Sequence, residues 1–326
     1  MTDGGVGPLS VRAATEDDDE AVLALLRCSL GWKPSEHDAA FFWWKHRQNP
    51  FGNSSAWLAC VDDRIVGYRT MLRWRFERSD GSVEAVRAVD TATHPDHQGR
   101  GIFTKLTLAA IDELRAQSVA FVFNTPNDKS RPGYLKMGWQ TVGKIPVSIS
   151  LRRLRSIPKV ARSMRPAVKW SEPTTVGSAA QNALEDAAAV KELLASLPVP
   201  SRGSLRTLRT PEYLAWRYGF GPLAYRIVLR DSELSDGFAV FRIRRRGAVR
   251  EATVCELLVP EDDRRARSEL FRRVRASVDA DVVVKVADGL SRIPGQGPML
   301  TARALGPVSI PDRSGWNLSL GDVELF

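Results

Sequence analysis

Val89-Asp90-Thr91-Ala92-Thr93-His94-Pro95-Asp96-His97-Gln98-Gly99-Arg100-Gly101-Ile102-Phe103 is the stretch on which the fold turns. A strand-like run feeds a short glycine loop, and the loop opens into a segment with Leu106, Ala109, Ala110 and Leu114 at helical spacing. A helix that starts this way presents unpaired backbone N–H groups, and its dipole favours negative charge there. Gly99 and Gly101 let an anion approach the chain closely, and Arg100 and Lys105 add mobile positive charge. The loop is not a dinucleotide fingerprint, because position 104 is threonine rather than a third glycine. It is not a P-loop either, because no Gly-Lys-Ser/Thr follows.

Working outward, a strand is expected at Leu9–Arg12. A helix follows, with Thr15 as N-cap before an acid-rich first turn, and a second helix opens at Ser35 and carries Phe41-Phe42-Trp43-Trp44. Half or more of those aromatics are read as core, and the others can roof a substrate pocket. Ala56–Val61 and Ile65–Trp74 form a hairpin around Asp62-Asp63-Arg64, and Asp80-Gly81 turns the chain into a third strand ending at Thr93. Val119–Phe123 reads as a short buried strand after the loop helix, and a further short helix ends at Gly138-Trp139.

The glycine loop resembles the acyl-CoA loop of the GNAT (GCN5-related N-acetyltransferase) superfamily, Gln/Arg-x-x-Gly-x-Gly/Ala, in Gln98, Gly99, Arg100, Gly101 and Ile102. Phe103 departs from it, since a small residue is usual there. Downstream, Asn127 to Ser130 followed by Tyr134 and Gly138-Trp139 resembles the superfamily's Asn-x-x-Ala/Ser…Tyr-x-x-x-Gly-Phe/Trp signature. The resemblance covers roughly residues 9 to 152. It implies that Thr91, Ala92 and Thr93 end a splayed strand that pairs with pantetheine. It also implies that Gln98, Gly99, Arg100, Gly101, Ile102, Phe103 and Thr104 hold the pyrophosphate, and that Asn127 contacts the CoA arm. Tyr134 would protonate the leaving thiolate; a phenol with a reference pKa of about 10 keeps its proton at neutral pH. Two candidates stand for the base: Asp90, the carboxylate on the catalytic strand, and the terminal carboxylate of Phe326. The latter follows the enhanced-intracellular-survival acetyltransferases, tandem GNAT proteins whose chain terminus serves as base. His94 and His97 are read as structural.

The second half repeats the order. Tyr213-Leu214-Ala215-Trp216-Arg217 echoes Phe41-Phe42-Trp43-Trp44-Lys45, Gly221-Pro222 stands for Asn49-Pro50, and Val259-Pro260-Glu261-Asp262 for His94-Pro95-Asp96-His97. The glycine loop is gone, replaced by Asp263-Arg264-Arg265-Ala266. The expected fold class is therefore α/β (α+β), with two GNAT-like domains, each a mixed, mostly antiparallel sheet flanked by helices. The domains are 1–152, catalytic and acyl-CoA-binding, and 184–326, a degenerate copy, joined by a basic linker over 153–183.

Composition narrows the function. The 326 residues are 43% hydrophobic and 26% charged, an ordinary globular balance. No apolar run is long enough to span a bilayer, and Met1–Gly5 lacks the basic and apolar regions of a secretory signal. Three separated cysteines fit a reducing compartment, so a cytoplasmic protein is expected, and four dispersed histidines provide no metal site. The net charge of +9 lies wholly beyond residue 150, seven of it between Leu151 and Trp170. With Pro158 and Pro166 and few aromatics, that segment reads as a solvated connector rather than a nucleic-acid surface. The leading expectation is an N-acyltransferase that moves an acyl group from acetyl-CoA, or another acyl-CoA, to a primary amine, with a small-molecule acceptor favoured over a protein. No metal, nucleic-acid or membrane partner is expected, and a homodimer is compatible with the sequence. The alternative is an acyl-CoA-binding regulatory module with little turnover.

Overall fold

The computed structural model describes residues 7–31, 35–152, 167–287 and 297–324. From the N-terminus come β1 (Ser10–Ala13), α1 (Asp19–Leu30), α2 (Asp38–Arg47), β2 (Ser55–Val61), β3 (Arg64–Arg78), β4 (Gly81–Thr93), α3 (Ile102–Ala116), β5 (Phe121–Asn124), α4 (Arg131–Lys136), β6 (Gln140–Lys144) and β7 (Val147–Leu151). The hairpin between β2 and β3 turns through Asp62 and Asp63, both at positive φ, as the charged Asp-Asp pair predicts. The remainder comprises β8 (Ser178–Ala179), α5 (Ala180–Ala183), α6 (Ala187–Ala195), β9 (Leu205–Thr207), α7 (Pro211–Gly219), β10 (Arg226–Leu229), β11 (Phe238–Arg246), β12 (Val249–Leu258), α8 (Arg264–Ser277), β13 (Val282–Val286), β14 (Met299–Ala304), β15 (Trp316–Asn317) and α9 (Leu320–Val323).

The chain divides into two compact units. The first holds residues 1–76, 82–143 and 299–310; the second holds 77–81, 144–298 and 311–326. In the first, the strand order is β1-β2-β3-β4-β5-β14-β6, with β1, β2 and β3 antiparallel and β4 parallel to β5. One face is covered by α3, whose Ile102, Leu106, Ala110, Ile111 and Leu114 join Trp57, Ala59, Val66, Val86 and Val122 in a buried cluster. The helix comes so close that a side chain at Gly67 would meet Ile102 at 2.5 Å. Around α1, a second cluster joins Val22, Leu26 and Phe42 to Leu58 and Tyr68.

The second unit has the order β7-β13-β12-β11-β10-β8. Here too the strands are antiparallel except for one parallel pair, β12 with β13. Its core packs α8, through Ala266, Leu270 and Val274, on Phe241, Ile243, Ala252 and Val283. Mixed sheets flanked by helices in both units are the architecture the repeat predicts.

Each sheet is completed by a strand from the other half of the sequence. β14 pairs antiparallel with β5, Thr301 opposite Asn124 through Ala304 opposite Phe121. β7, part of residues 1–152, pairs antiparallel with β13, Val147 opposite Val286 through Leu151 opposite Val282. In both cases the borrowed strand covers the outer edge of the parallel strand, an edge that would otherwise present unpaired backbone groups. Of the expected linker, residues 153–166 lie outside the described residues. From Val168 onward the chain follows β11, Val168 donating to Arg245 and Glu172 to Ile243.

Residues 1–152 produced alone lack β14, so β5 keeps only β4 beside it. That fragment is expected to show no cooperative thermal transition by circular dichroism, whereas the full chain melts cooperatively.

Candidate active site

In the first unit β4 and β5 share a parallel register only at Ala85–Phe121, Val86–Val122 and Arg87–Phe123. β4 runs on to Thr93, while β5 follows β14 as far as Asn124, where Thr301 Oγ1 donates to the Asn124 carbonyl of the side chain at 2.6 Å. Beyond Arg87, therefore, β4 has no registered partner on that side. Within this stretch Asp90 adopts φ +29°, unusual for a non-glycine residue in a strand. Its side chain enters α2: Lys45 Nζ donates to Asp90 Oδ2 at 2.8 Å, and His46 Nε2 lies 2.8 Å from the same oxygen. His46 Nδ1 is 2.9 Å from Ser54 Oγ.

Burial raises the Asp90 carboxyl, but Lys45 and then His46 outweigh it and hold the group well below the usual carboxylate range. Burial lowers His46 more than Asp90 raises it, so the imidazole is neutral at pH 7. A neutral ring bonded to a carboxylate carries its proton on Nε2, and Nδ1 then accepts from Ser54. Asp90 is thus an ionised anchor for a strained strand.

The loop begins where His94 N donates to Val66 O at 2.8 Å, fixing it to β3. Pro95–His97 form one 3₁₀ turn, and Gln98 Nε2 donates back to Thr93 O. Gly99 (φ +75°) and Gly101 (φ +73°) are left-handed, and a Cβ at either position would meet nothing within 4 Å. The first helical bond runs from Lys105 N to Gly101 O, so the amides of residues 102–104 have no acceptor within α3. Open glycines next to free amides suit a pyrophosphate. Lys105 Nζ is engaged by Leu9 O.

Phe103 does not fill this cradle. Its ring stands edge-on to Tyr134 (centroids 5.3 Å apart) and lies 3.1 Å from the position a Cβ would take on Gly133. A bulky residue on α3 is thereby matched by a missing side chain on α4.

Tyr134 is buried on α4 and also packs against Trp139. Its Oη accepts from Arg69 Nη1 at 2.8 Å, which leaves the phenolic proton free to donate. The same Nη1 donates to Thr91 Oγ1. Arg69 therefore joins Tyr134 to the splayed strand, with its guanidinium 5.7 Å from the Phe103 ring centre and 5.3 Å from that of Tyr134. It is fully buried, its Nε lacks a partner, and among the described residues no carboxylate pairs with it. Arg69, Lys45 and His46 are the site residues that the motifs alone do not reveal. Two arginines, Arg69 and Arg73, interrupt the apolar run Ile65–Trp74, and nothing in the sequence marks which of them is buried at the site.

Of the other expected residues, Ala92 is buried in the core beside Tyr68. Asn127 uses Oδ1 to accept from the amides of Lys129 and Ser130, which starts α4 and fixes the helix that carries Tyr134. Phe326 lies outside the described residues; Glu324, two positions earlier, is held in the second unit by Arg242. Among the described residues no three His, Cys, Asp or Glu side chains are placed to share a metal, and no helix is long and apolar enough to cross a membrane.

A splayed parallel strand pair, an open glycine loop and a helix start on one sheet define a class. Residues 10–142 match the family model described as an acetyltransferase (GNAT) domain. Among solved structures, a GCN5-related N-acetyltransferase from Anabaena variabilis is similar with a TM-score of 0.62 at 12% identity, over 92% of this chain and 73% of that one. Eis1 from Mycobacterium abscessus is similar with a TM-score of 0.58 at 15% identity, over 91% and 74%. A GCN5-related N-acetyltransferase from Kribbella flavida gives 0.56 at 13% identity, over 91% and 72%. At these identities the likeness is one of fold. No curated protein matches the chain in sequence.

Lys45→Met removes the cation that offsets burial of Asp90 and is expected to cost about 3–5 kcal/mol at neutral pH by chemical denaturation. Because the folded Asp90 pKa is depressed, its contribution is complete above the unfolded value of about 4 and is lost as pH falls below it. The gap between variant and parent should narrow in acid.

Proposed function

We propose that the protein is an acyl-CoA-dependent N-acyltransferase, most simply an acetyltransferase, acting on a primary amine of a small molecule. The observation that carries this reading is the open left-handed loop Gly99–Gly101 at the start of α3, on the same sheet as a buried tyrosine hydroxyl. In this reading the amides after Gly101 receive the pyrophosphate, and the unpaired edge of β4 from Ala88 to Thr93 receives the pantetheine. The amine attacks the thioester carbonyl carbon, the C–N bond forms and the C–S bond breaks. Tyr134 gives its proton to the departing thiolate. Arg69, a fixed and unpaired positive charge bonded to Tyr134 Oη, offsets the negative charge that develops there. The proton released by the amine goes to a base other than Asp90, whose affinity for a proton is suppressed by Lys45 and His46.

The second unit is read as a degenerate copy of the first. Superposing the two parallel registers, Ala85–Arg87 on Glu251–Thr253, aligns Asp90 with Glu256, three residues beyond the last pair in each. His46 of α2 bonds Asp90, and Tyr218 of α7 donates to Glu256 at 2.9 Å. Each strand is followed by a proline-led 3₁₀ turn and a helix. In the second copy Asp263 Oδ1 takes the Ala266 amide at 2.6 Å, so the protein's own carboxylate occupies the position offered to a phosphate in the first. One acyl-CoA per chain follows.

Tyr134→Phe is expected to lower acyl transfer roughly 10²–10⁴-fold while calorimetry still finds one acetyl-CoA per chain. Tight acetyl-CoA binding with no turnover in the parent protein, against a broad set of amines, would favour the binding-module reading instead.

A further inference from the structure

The second unit contains a cavity of about 380 Å³ at the place where β12 and β13 part. The two strands are registered only from Glu251–Val282 to Thr253–Val284, and the cavity walls begin with the next residues, Val254–Leu258 and Lys285–Ala287. Residues of the C-terminal segment between Arg313 and Leu320 line another side, among them the buried Trp316. By position it corresponds to the acyl-CoA cleft of the first unit. Asp263 closes the helix start, however, and Arg264 and Ala266 stand where the first unit has Gly99 and Gly101. A pyrophosphate cradle is missing, and the cavity survives.

Its charge is what identifies the occupant. Five basic side chains line it, Arg206, Arg209, Arg267, Lys285 and Arg313, against two carboxylates, Glu256 and Asp262. Arg206 is spent on Glu77, Arg209 on Glu256 and Asp322, and Arg267 on Asp262, while Lys285 lies over the Phe271 ring. Arg313 is different. Its Nε and Nη1 donate to the backbone oxygens of Lys144 and Trp316 at 3.1 and 3.0 Å, which fixes the guanidinium plane. Its Nη2 makes no bond and no carboxylate pairs with it among the described residues; burial alone acts on it, lowering its pKa. A half-buried guanidinium clamped by two carbonyls, with Nη2 left over and no carboxylate beside it, is a ready donor to an anion in the cavity. Apolar surface from Val254, Leu257 and Leu318 lines the rest.

We propose that the splayed cleft of the second unit is a binding site for a small organic anion, a carboxylate or a phosphate ester too small to be coenzyme A, held through Arg313. A volume at the lower end of ligand pockets fits a metabolite-sized acid. The site stands on the second unit alone and does not require acyl transfer in the first.

The test uses the full chain with citrate and inorganic phosphate as separate probes, and sodium chloride at matched ionic strength as reference. One or both probes should raise the melting temperature beyond chloride and bind at one site per chain by calorimetry; the arm that responds tells carboxylate from phosphate. Arg313→Gln should weaken binding about tenfold, the worth of one charge-assisted hydrogen bond. Ser314→Trp, at an exposed lining position, should block entry without touching a cation, and so serves if Arg313→Gln does not fold. Both variants should still bind one acetyl-CoA. No effect of either probe beyond chloride overturns the proposal, as does binding that survives Ser314→Trp. Two acetyl-CoA sites in the parent, falling to one in the variants, would assign the cleft to coenzyme A and overturn it as well. Loss of acetyl-CoA binding with anion binding intact would count against the acyltransferase reading only.

Discussion

Two parallel strands that share a register for three residues and then separate cannot hold that geometry by themselves, because their free backbone groups would pair if allowed. In the first unit the separation depends on Asp90. Its positive φ costs about 1–3 kcal/mol, and only a strong tie on the side chain makes such a bend persist. Lys45 and His46 supply that tie from inside α2. The aromatic helix is consequently more than a hydrophobic slab. Phe42 packs on Tyr68 and against His46, and so places the imidazole that receives the bend. With β4 bent and His94 bonded to Val66, the glycine loop is delivered to the open end of the strand pair, and Gly67 lets α3 lie close enough to the sheet to present its first amides there.

On the far side of the gap the constraint comes from a segment about 180 residues away in sequence. β5 is a short strand of four residues and would be a weak partner for β4 alone; β14 pairs with it to the end and gives it a fixed direction. The same device in the second unit sets β7 against β13. Gly297 marks the path of this exchange: it takes φ +103°, and a side chain there would meet Ile145 O at 1.9 Å.

Which features were legible follows from range. Hairpins at Asp62-Asp63 and Asp80-Gly81, the amphipathic α3 and the Gly-x-Gly loop are local, and turn chemistry or periodicity announces each one. The strand exchange has no local sign. Val147–Leu151 and Met299–Ala304 are ordinary β sequences, and nothing in them says which sheet they join. Phe103 was conspicuous as a departure from the superfamily pattern, but its meaning lay in Gly133, thirty residues on, where a side chain is missing at the point of contact. Asp90 illustrates the same limit differently. Sequence shows a carboxylate on the right strand, whereas its affinity for a proton is lowered by a lysine and a histidine about forty-five residues earlier.

The two halves use charge in opposite ways. In the second unit two buried cations are neutralised internally: Arg209 by Glu256 and Asp322, and Arg242 by Glu324. Burial, with Asp322 adding to it, pushes the Glu256 carboxyl up despite Arg209. Such saturated networks rigidify a fold and leave little for a ligand to gain. In the first unit Arg69 is buried with hydroxyls and aromatic rings for company and no acid. Selection for stability alone would give that guanidinium a carboxylate or replace it. An unneutralised charge is the more informative feature of a fold, since its cost is carried in the resting protein and recovered only when negative charge arrives or develops beside it.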